Sequence, residues 1–478
     1  MAAAGVNYTV GRESASAFGE AAAGRLPVSL PGPWACGCDW SAGAVDGRGA
    51  GGKPLPLIQA AAASLPPAGG ADKKVQAYNF RLCMTQSARN FRPIPPPSRY
   101  DPAQWELLRR VLKSGGDWHF SSFIGCSDLK LGDNKTDCNN RGGLSTDMIG
   151  GSWTWPEATH EERLRLFLAH KDYTLGLFHF LRTDSASPPA LQEEVRRWGL
   201  CADEFVDSGG WPHQLYVREA RRMVSDFVFT QHDRVTNVTK TDAIALGAYN
   251  LDAHMAERVL LPNGSVTNEG CLSGWAASQH VRLPRFQIPY RVLLPPQRTA
   301  GNLLVTCAVS GTHVGSASLR LEPQYMGMGH AAGVAAAMVV QGAASSVQEV
   351  PIARLQQLLI QQGVDEGISP ASGGGAGGFV CGLDRCIASP GGRHRNASCS
   401  GECVALAHDE WIGSAGAWSF AGSVATATRA THLKKSTVSS GVLNRSMVHA
   451  VPQGGTCELS VDGRAEWQQY FACSLKPR

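Results

Sequence analysis

The stretch from Asn302 to Gln341 constrains the fold most. It begins with a largely apolar run, Leu303-Leu-Val-Thr-Cys-Ala-Val309, that reads as a buried strand. A loop rich in Gly, Ser and His follows, and then a helix opens at Pro323, a residue whose missing N–H is harmless in a first turn. That helix is built from small residues: Gly327, Gly329, Ala331, Ala332, Gly333 and Ala335 to Ala337. Each interior glycine costs about 1 kcal/mol against alanine. Keeping them requires a compensating contact, and a nearly bare helix face admits either another backbone at close range or a ligand.

Of the 478 residues, 44 are Lys or Arg and 40 Asp or Glu, a formal charge of +4 with no run of five basic residues. Such a balance argues against nucleic acid or a membrane surface as a partner. No window approaches about eighteen consecutive apolar residues, so no transmembrane segment is expected. The first residues lack the basic and apolar regions of a signal peptide, which leaves the compartment open.

Residues 1–75 are rich in Ala, Gly and Pro, with a long loop or insertion from Ser41 to Gly70. The run Val75 to Met84 alternates as a half-buried strand does. Asp101-Pro102-Ala-Gln104 starts a helix carrying Trp105, Leu108, Val111 and Leu112 on one face, and Thr159-x-x-Glu162 starts a longer one reaching Leu181. Leu191, Val195 and Trp198 mark a short helix stopped by Gly199; Leu215 to Val224 reads as another, before a strand-like Asp226 to Thr230. Ile352, Leu355, Leu358 and Leu359 form a last amphipathic helix, and Ser372 to Gly378 reads as a linker.

Cys36 and Cys38 form a C-x-C, and the single cysteines Cys83, Cys126, Cys138, Cys201, Cys271 and Cys307 read most simply as small buried apolar residues. In the tail, Cys381, Cys386, Cys399 and Cys403 suit two disulfides of an exported protein, a zinc ion, or no bridge at all. Asn396-Ala-Ser398 and Asn444-Arg-Ser446 would accept glycans if the chain is exported.

Four segments in order, Tyr78-Asn-Phe-Arg-Leu-Cys-Met-Thr85, Asn139-Asn-Arg-Gly-Gly-Leu-Ser-Thr-Asp147, Trp211 to Met223 and Ser318-Leu-Arg-Leu-Glu-Pro323, resemble the FAD-dependent oxidoreductases grouped near the flavoprotein of heterodisulfide reductase. The resemblance covers roughly residues 1–365. It implies an α/β fold with an α+β inserted domain: a two-domain, Rossmann-like FAD-binding fold that is incomplete here, followed by a C-terminal region compatible with a small β-sandwich. The implied layout is 1–75 for a remnant of the FAD-binding half, 76–290 for the substrate domain and 291–365 for the returning FAD-binding segment. A linker, 366–380, and a cysteine-bearing region, 381–478, complete it.

The resemblance further implies that the 302–341 unit returns to the flavin and aims a helix N-terminus at the isoalloxazine, where unpaired N–H groups stabilise reduced flavin. The expected cofactor contacts are His313, Ser318, Arg320, Glu322, Pro323, Gln324 and Tyr325. A solvated loop histidine is the plain alternative for His313. A small-molecule substrate would meet Arg81, Asn140, Arg141, Trp211 and Arg222, with His213, Tyr216 and Arg218 as catalytic groups, since guanidinium groups hold organic anions and a histidine moves protons beside a hydride transfer. The plain alternative is that Arg218-Glu219 and Arg221-Arg222 form the charged face of a helix. Tyr249, Asn250, Asp252 and His254 form a weaker cluster of the same kind.

The sequence departs from the family pattern in having no G-x-G-x-x-G turn after a strand, so the expectation is that Met1 is an internal methionine of a longer enzyme. It also has no cysteine quartet of the kind that holds a 4Fe–4S cluster, and no metal site is expected. The expected activity is hydride transfer between an organic substrate and FAD; the alternative is a flavin-free protein that binds a carbohydrate or a protein partner.

Overall fold

Two capping residues start the helices on which the main core rests. The Asp101 carboxylate accepts the Ala103 N–H at 2.9 Å and opens the turn Pro102–Trp105, which runs into helix Glu106–Lys113. Thr159 and Glu162 cap each other reciprocally and begin the long helix His160–Thr183, two residues longer at its end than the apolar pattern indicates. A third helix, Pro189–Arg196, stops before Gly199 as its sequence requires. The structure is a computed structural model that describes residues 1–28, 45–127, 134–236, 238–273 and 283–369, and then seven strands between Phe379 and Ser474.

These helices share a core with an antiparallel five-stranded sheet, ordered Phe91–Arg92, Gly199–Cys201, Leu82–Thr85, Thr136–Asn140, Ile124–Cys126. Phe80, Leu82 and Met84 bury against Trp105, Leu108, Leu177, Phe178 and Phe180. Trp105 stacks on Tyr173 at 5.2 Å, and it does so across Gly176, where a Cβ would stand 3.0 Å from the indole. A side chain there would force the buried indole to give way, and glycine avoids that.

The rest of the first compact unit, Met1–Leu355, is tied together by short pairings. Tyr8–Thr9 pairs with Arg222–Met223, Ala243–Gly247 with Phe286–Pro289, and the hairpin Glu257–Leu260/Val266–Glu269 takes Ala60–Ala61 as a parallel third strand. That last pairing is the one parallel pair among the named strands, so the parallel sheet of a dinucleotide-binding half is not among the described residues. The architecture is mixed α/β. The second unit, Gln356–Arg478, contains a five-stranded antiparallel sheet and a separate two-stranded one. Of the expected linker 366–380, Glu366–Ile368 forms a 3-10 turn and strand Phe379–Cys381 begins at its end, while residues 370–378, both glycan acceptors Asn396 and Asn444, and the side chains of Cys381, Cys386, Cys399 and Cys403 lie outside the described residues.

Several local expectations fail: Asp226 to Thr230 makes only an isolated bridge at Phe229, and of Val75 to Met84 only the end enters a strand, Leu82–Thr85. Leu303 to Val309 is not a strand: its neighbour, Tyr290–Leu293, is a tight 3-10 helix that offers no ladder, and only isolated bonds such as Val305 N–H to Leu293 O (2.9 Å) hold the run. Leu215 to Val224 is extended rather than helical, because Arg218 and Arg222 are drawn inward to different buried acceptors. His313 does not sit in a loop; Thr312 caps a helix, His313–Leu319, at whose start the buried histidine lies.

The cysteines correct a further expectation. Cys83–Cys201 and Cys126–Cys138 are disulfides that bridge neighbouring strands of the five-stranded sheet, and Cys271 is disulfide-bonded as well. Cys307 is free and exposed. Cross-linking stabilises mainly by restricting the unfolded chain, and more so for longer loops. The bridges close separations of 118 and 12 residues. The double variant Cys83→Ser/Cys201→Ser is therefore expected to lose roughly 4–5 kcal/mol and Cys126→Ser/Cys138→Ser roughly 3. Urea unfolding of the two variants checks the order.

Candidate functional site

Arg218 is the centre of a buried polar cluster. Its side chain is fully enclosed, and Nη2 alone faces four oxygens: Asp147 Oδ1 at 3.0 Å, Asn79 Oδ1 at 3.1 Å, and Asn139 Oδ1 and Asn140 Oδ1 at 3.3 Å. Its Nε and Nη1 have no hydrogen-bond partner. An unpaired buried donor on a cation is expensive, and it marks a place where a further acceptor would be held strongly. Two guanidinium groups approach the Tyr216 ring, that of Arg218 at 5.0 Å and that of Arg81 at 5.2 Å, and its hydroxyl is 3.5 Å from Arg320 Nη1. Arg81 is itself paired with Asp137.

Loop 248–256 completes the cluster. His254 Nδ1 is 2.7 Å from Asp147 Oδ2, and its Nε2 lies 3.6 Å from Asp252 Oδ1. Arg320 donates from Nη2 to Asp252 Oδ2 at 2.7 Å and from Nε to the Asp252 carbonyl at 2.9 Å. Burial raises the cost of a charge on Asp147, but Arg218 and His254 outweigh it and hold the carboxyl below its ordinary value. Burial, followed by the Arg218 charge, holds His254 below 6.5. The histidine is thus neutral at pH 7; with Nδ1–H donated to ionised Asp147, its Nε2 carries the lone pair.

A second buried cluster adjoins the first in sequence. Glu219 pairs with Arg222 and with His313 Nδ1 (2.7 Å) and accepts from Gln76 Nε2 at 3.0 Å. Arg222 also reaches Glu13 Oε1 at 2.6 Å and the carbonyls of Gly11 and Gly311. Burial opposes the Glu219 charge, yet His313 and Arg222 pull the carboxyl down to about 2. Glu20 accepts from Thr312 Oγ1 and the Gln231 N–H, while its Oε2 is buried without a partner; burial raises its carboxyl.

The residues expected from the sequence therefore separate. Arg81, Asn140, Tyr216, Arg218 and Arg320 converge on one cluster. His213 is elsewhere: it is exposed, bonded to Asp207 at 2.9 Å and set edge-on to Phe205. Trp211 is core, packed edge-on to Phe80. Arg222 is saturated by its own partners, and Arg141 is an exposed side chain beside Gly125. Ser318 is spent on the Asn250 carbonyl and His313 on Glu219. Glu322 and Pro323 are exposed at the start of helix Glu322–Val340, Gln324 is buried with Oε1 unpartnered, and Tyr325 is half-buried.

The small-residue helix uses its glycines unequally. Gly327 meets strand Ala243–Gly247, where a Cβ would stand 3.0 Å from Ala245, whereas Gly329 and Gly333 have open space beside them. Close packing accounts for the first only. Asp147, Asn79 and Glu219 escaped sequence reasoning as site residues, although Asp147 closes the segment that begins at Asn139, and acceptors flanking a glycine pair were the available signal. Among the described residues, no group of three or more His, Cys, Asp and Glu side chains is placed to hold a metal ion, and no helix is long and apolar enough to cross a membrane.

The family model described as FAD dependent oxidoreductase matches residues 1–359. No curated protein and no solved structure matches the chain.

The Glu219 cluster gives a pH signature. Its carboxyl titrates near 2 in the folded chain and near 4.5 when unfolded, so it contributes stability that is complete above pH 4.5 and lost as pH falls through 2. Glu219→Gln is expected to lower neutral-pH stability by roughly 3 kcal/mol and to flatten the acid limb between these values. Urea midpoints across pH 2–6 measure both.

Proposed function

Because the chain belongs to the FAD-dependent oxidoreductase family, we propose that it transfers a hydride between an organic substrate and flavin at the cluster around Arg218. The observation that carries this reading is the fully buried Arg218 guanidinium with Nε and Nη1 unpaired, inside a ring of groups with partly open edges: Arg81, Asn139, Asn140 and Tyr216. The residues present fit the flavin end of the cofactor. Gln324 Oε1 is a buried acceptor without a partner at the start of helix Glu322–Val340, and that helix start bears the positive end of its dipole. Gln324 and Tyr325 would hold the ring system, with Arg320 lending positive charge beside Tyr216. When bound, flavin supplies a two-electron acceptor.

The chain's own residues then have separable tasks. Arg218 and Arg81, both beside Tyr216, hold an anionic or strongly polar group of the substrate. Asn139 and Asn140 hold the Arg218 fork at Nη2, the nitrogen that Asp147 also holds, and leave Nε and Nη1 for the substrate. His254 takes the proton released when a hydroxyl or amine is oxidised: Asp147 holds Nδ1–H and leaves Nε2 as the acceptor. Asp252 holds Arg320 through its carboxylate and its carbonyl. Within the family, the four sequence segments favour the group near the heterodisulfide reductase flavoprotein.

FAD-loaded chain is expected to show a flavin band that a substrate bleaches. Arg218→Lys keeps the charge but not the fork, and should lower kcat/KM about ten- to hundredfold, mainly through KM. His254→Asn should lower kcat and abolish the acidic limb of its pH profile, a limb expected below 6.5 in the parent enzyme because burial lowers that histidine. A bleaching rate unaffected by either substitution would overturn the assignment of this cluster.

A further inference from the structure

N-linked glycan attachment needs an asparagine followed two residues later by Ser or Thr, with any residue but proline between. The chain has 13 asparagines, and six begin such a triplet: Asn7, Asn134, Asn237, Asn263, Asn396 and Asn444. With 60 Ser and Thr in 478 residues, composition alone would place roughly one or two. The excess is independent of any reading of the active site.

The described triplets are presented on the surface. Asn134 is exposed and left-handed, with φ 56°, at the entrance to strand Thr136–Asn140. Asn263 is exposed at the tip of the hairpin Glu257–Leu260/Val266–Glu269, where its Oδ1 accepts the Ser265 N–H at 3.0 Å. That turn brings the asparagine amide and the residue bearing the hydroxyl together, the local shape the triplet requires. Asn7 is exposed as well. The Thr136 hydroxyl is committed to the Ser127 carbonyl at 2.6 Å in the folded chain, so modification of Asn134 belongs before that strand closes.

The second observation is the disulfide framework. Cys83–Cys201 and Cys126–Cys138 lock neighbouring strands and Cys271 is bridged too, whereas reducing compartments keep such thiols free. Oxidation and glycan transfer share one location, the lumen of the secretory pathway. We propose that Asn134 and Asn263 are N-glycosylated and that the protein matures in that oxidising lumen. In the step, the asparagine Nδ2 attacks C1 of an oligosaccharide carried on a lipid pyrophosphate. The C–N bond forms as the C1–O bond to the pyrophosphate breaks; the pyrophosphate leaves with that electron pair, and an amide proton passes to a base of the transferase.

The test uses the native protein, captured from the cells that make it with an antibody to this chain. It is digested without reduction after peptide N-glycosidase treatment in 18O-water and mapped by mass spectrometry. The expected result is 18O-labelled aspartate at positions 134 and 263, together with linked peptides for Cys83–Cys201 and Cys126–Cys138. Unlabelled asparagine at both positions overturns the proposal, whether or not the disulfides are present. Labelling with free thiols at all four cysteines overturns the claim of an oxidising maturation and leaves only glycan transfer.

Discussion

The ion pair between Arg218 and Asp147 is the interaction on which the rest of the site depends. Both side chains are fully enclosed, and a buried charge left without its partner costs about 3–5 kcal/mol. Satisfying this one guanidinium draws Asn139 and Asn140 from the end of a sheet strand, Asn79 from the segment before another, and Asp147 from a separate loop. Asp147 in turn fixes His254, and through Asp252 the loop reaches Arg320 at the end of helix His313–Leu319. One cation thereby sets the relative positions of five chain segments. Its two unpaired nitrogens are the part of this arrangement that stability does not explain.

The neighbouring Glu219 cluster solves a different problem. Every donor of Arg222 that reaches an acceptor does so within the protein, and Glu219 is saturated by Arg222, His313 and Gln76. Such closure ties residues 11–20, 219–222 and 311–313 together and leaves no donor for a substrate. Arg218 and Arg222 stand four residues apart and are equally buried, yet their partners give one an open valence and the other none. That difference is why the proposed site is centred on Arg218 and not on Arg222.

Much of the fold was legible in local chemistry. Thr159 and Glu162 marked a helix start because side-chain caps satisfy orphan N–H groups whatever the tertiary context. Asp101 and Pro102, the stop at Gly199, and the opening of helix Glu322–Val340 follow the same logic. The irregular segments were not legible. Leu303 to Val309 is apolar enough for a strand but has no strand beside it, and Leu215 to Val224 has helical spacing but is unwound by buried arginines. Single cysteines read as buried thiols until the sheet register set Cys126 opposite Cys138.

By itself, the sequence determined the helices with their caps, the small-residue helix after residue 320, and membership of a flavin-dependent family, because these reside in contiguous residues. Only the tertiary structure decided which arginine is open and which is closed, that His254 rather than His213 joins the cluster, and which cysteines pair. Most of those outcomes depend on groups far apart in the chain, such as Asn79 and Asn139, which are 60 residues apart, or Cys83 and Cys201, which are 118 apart. A buried charge is stabilised by whichever oxygens the fold delivers to it, and no local pattern in a sequence records that delivery.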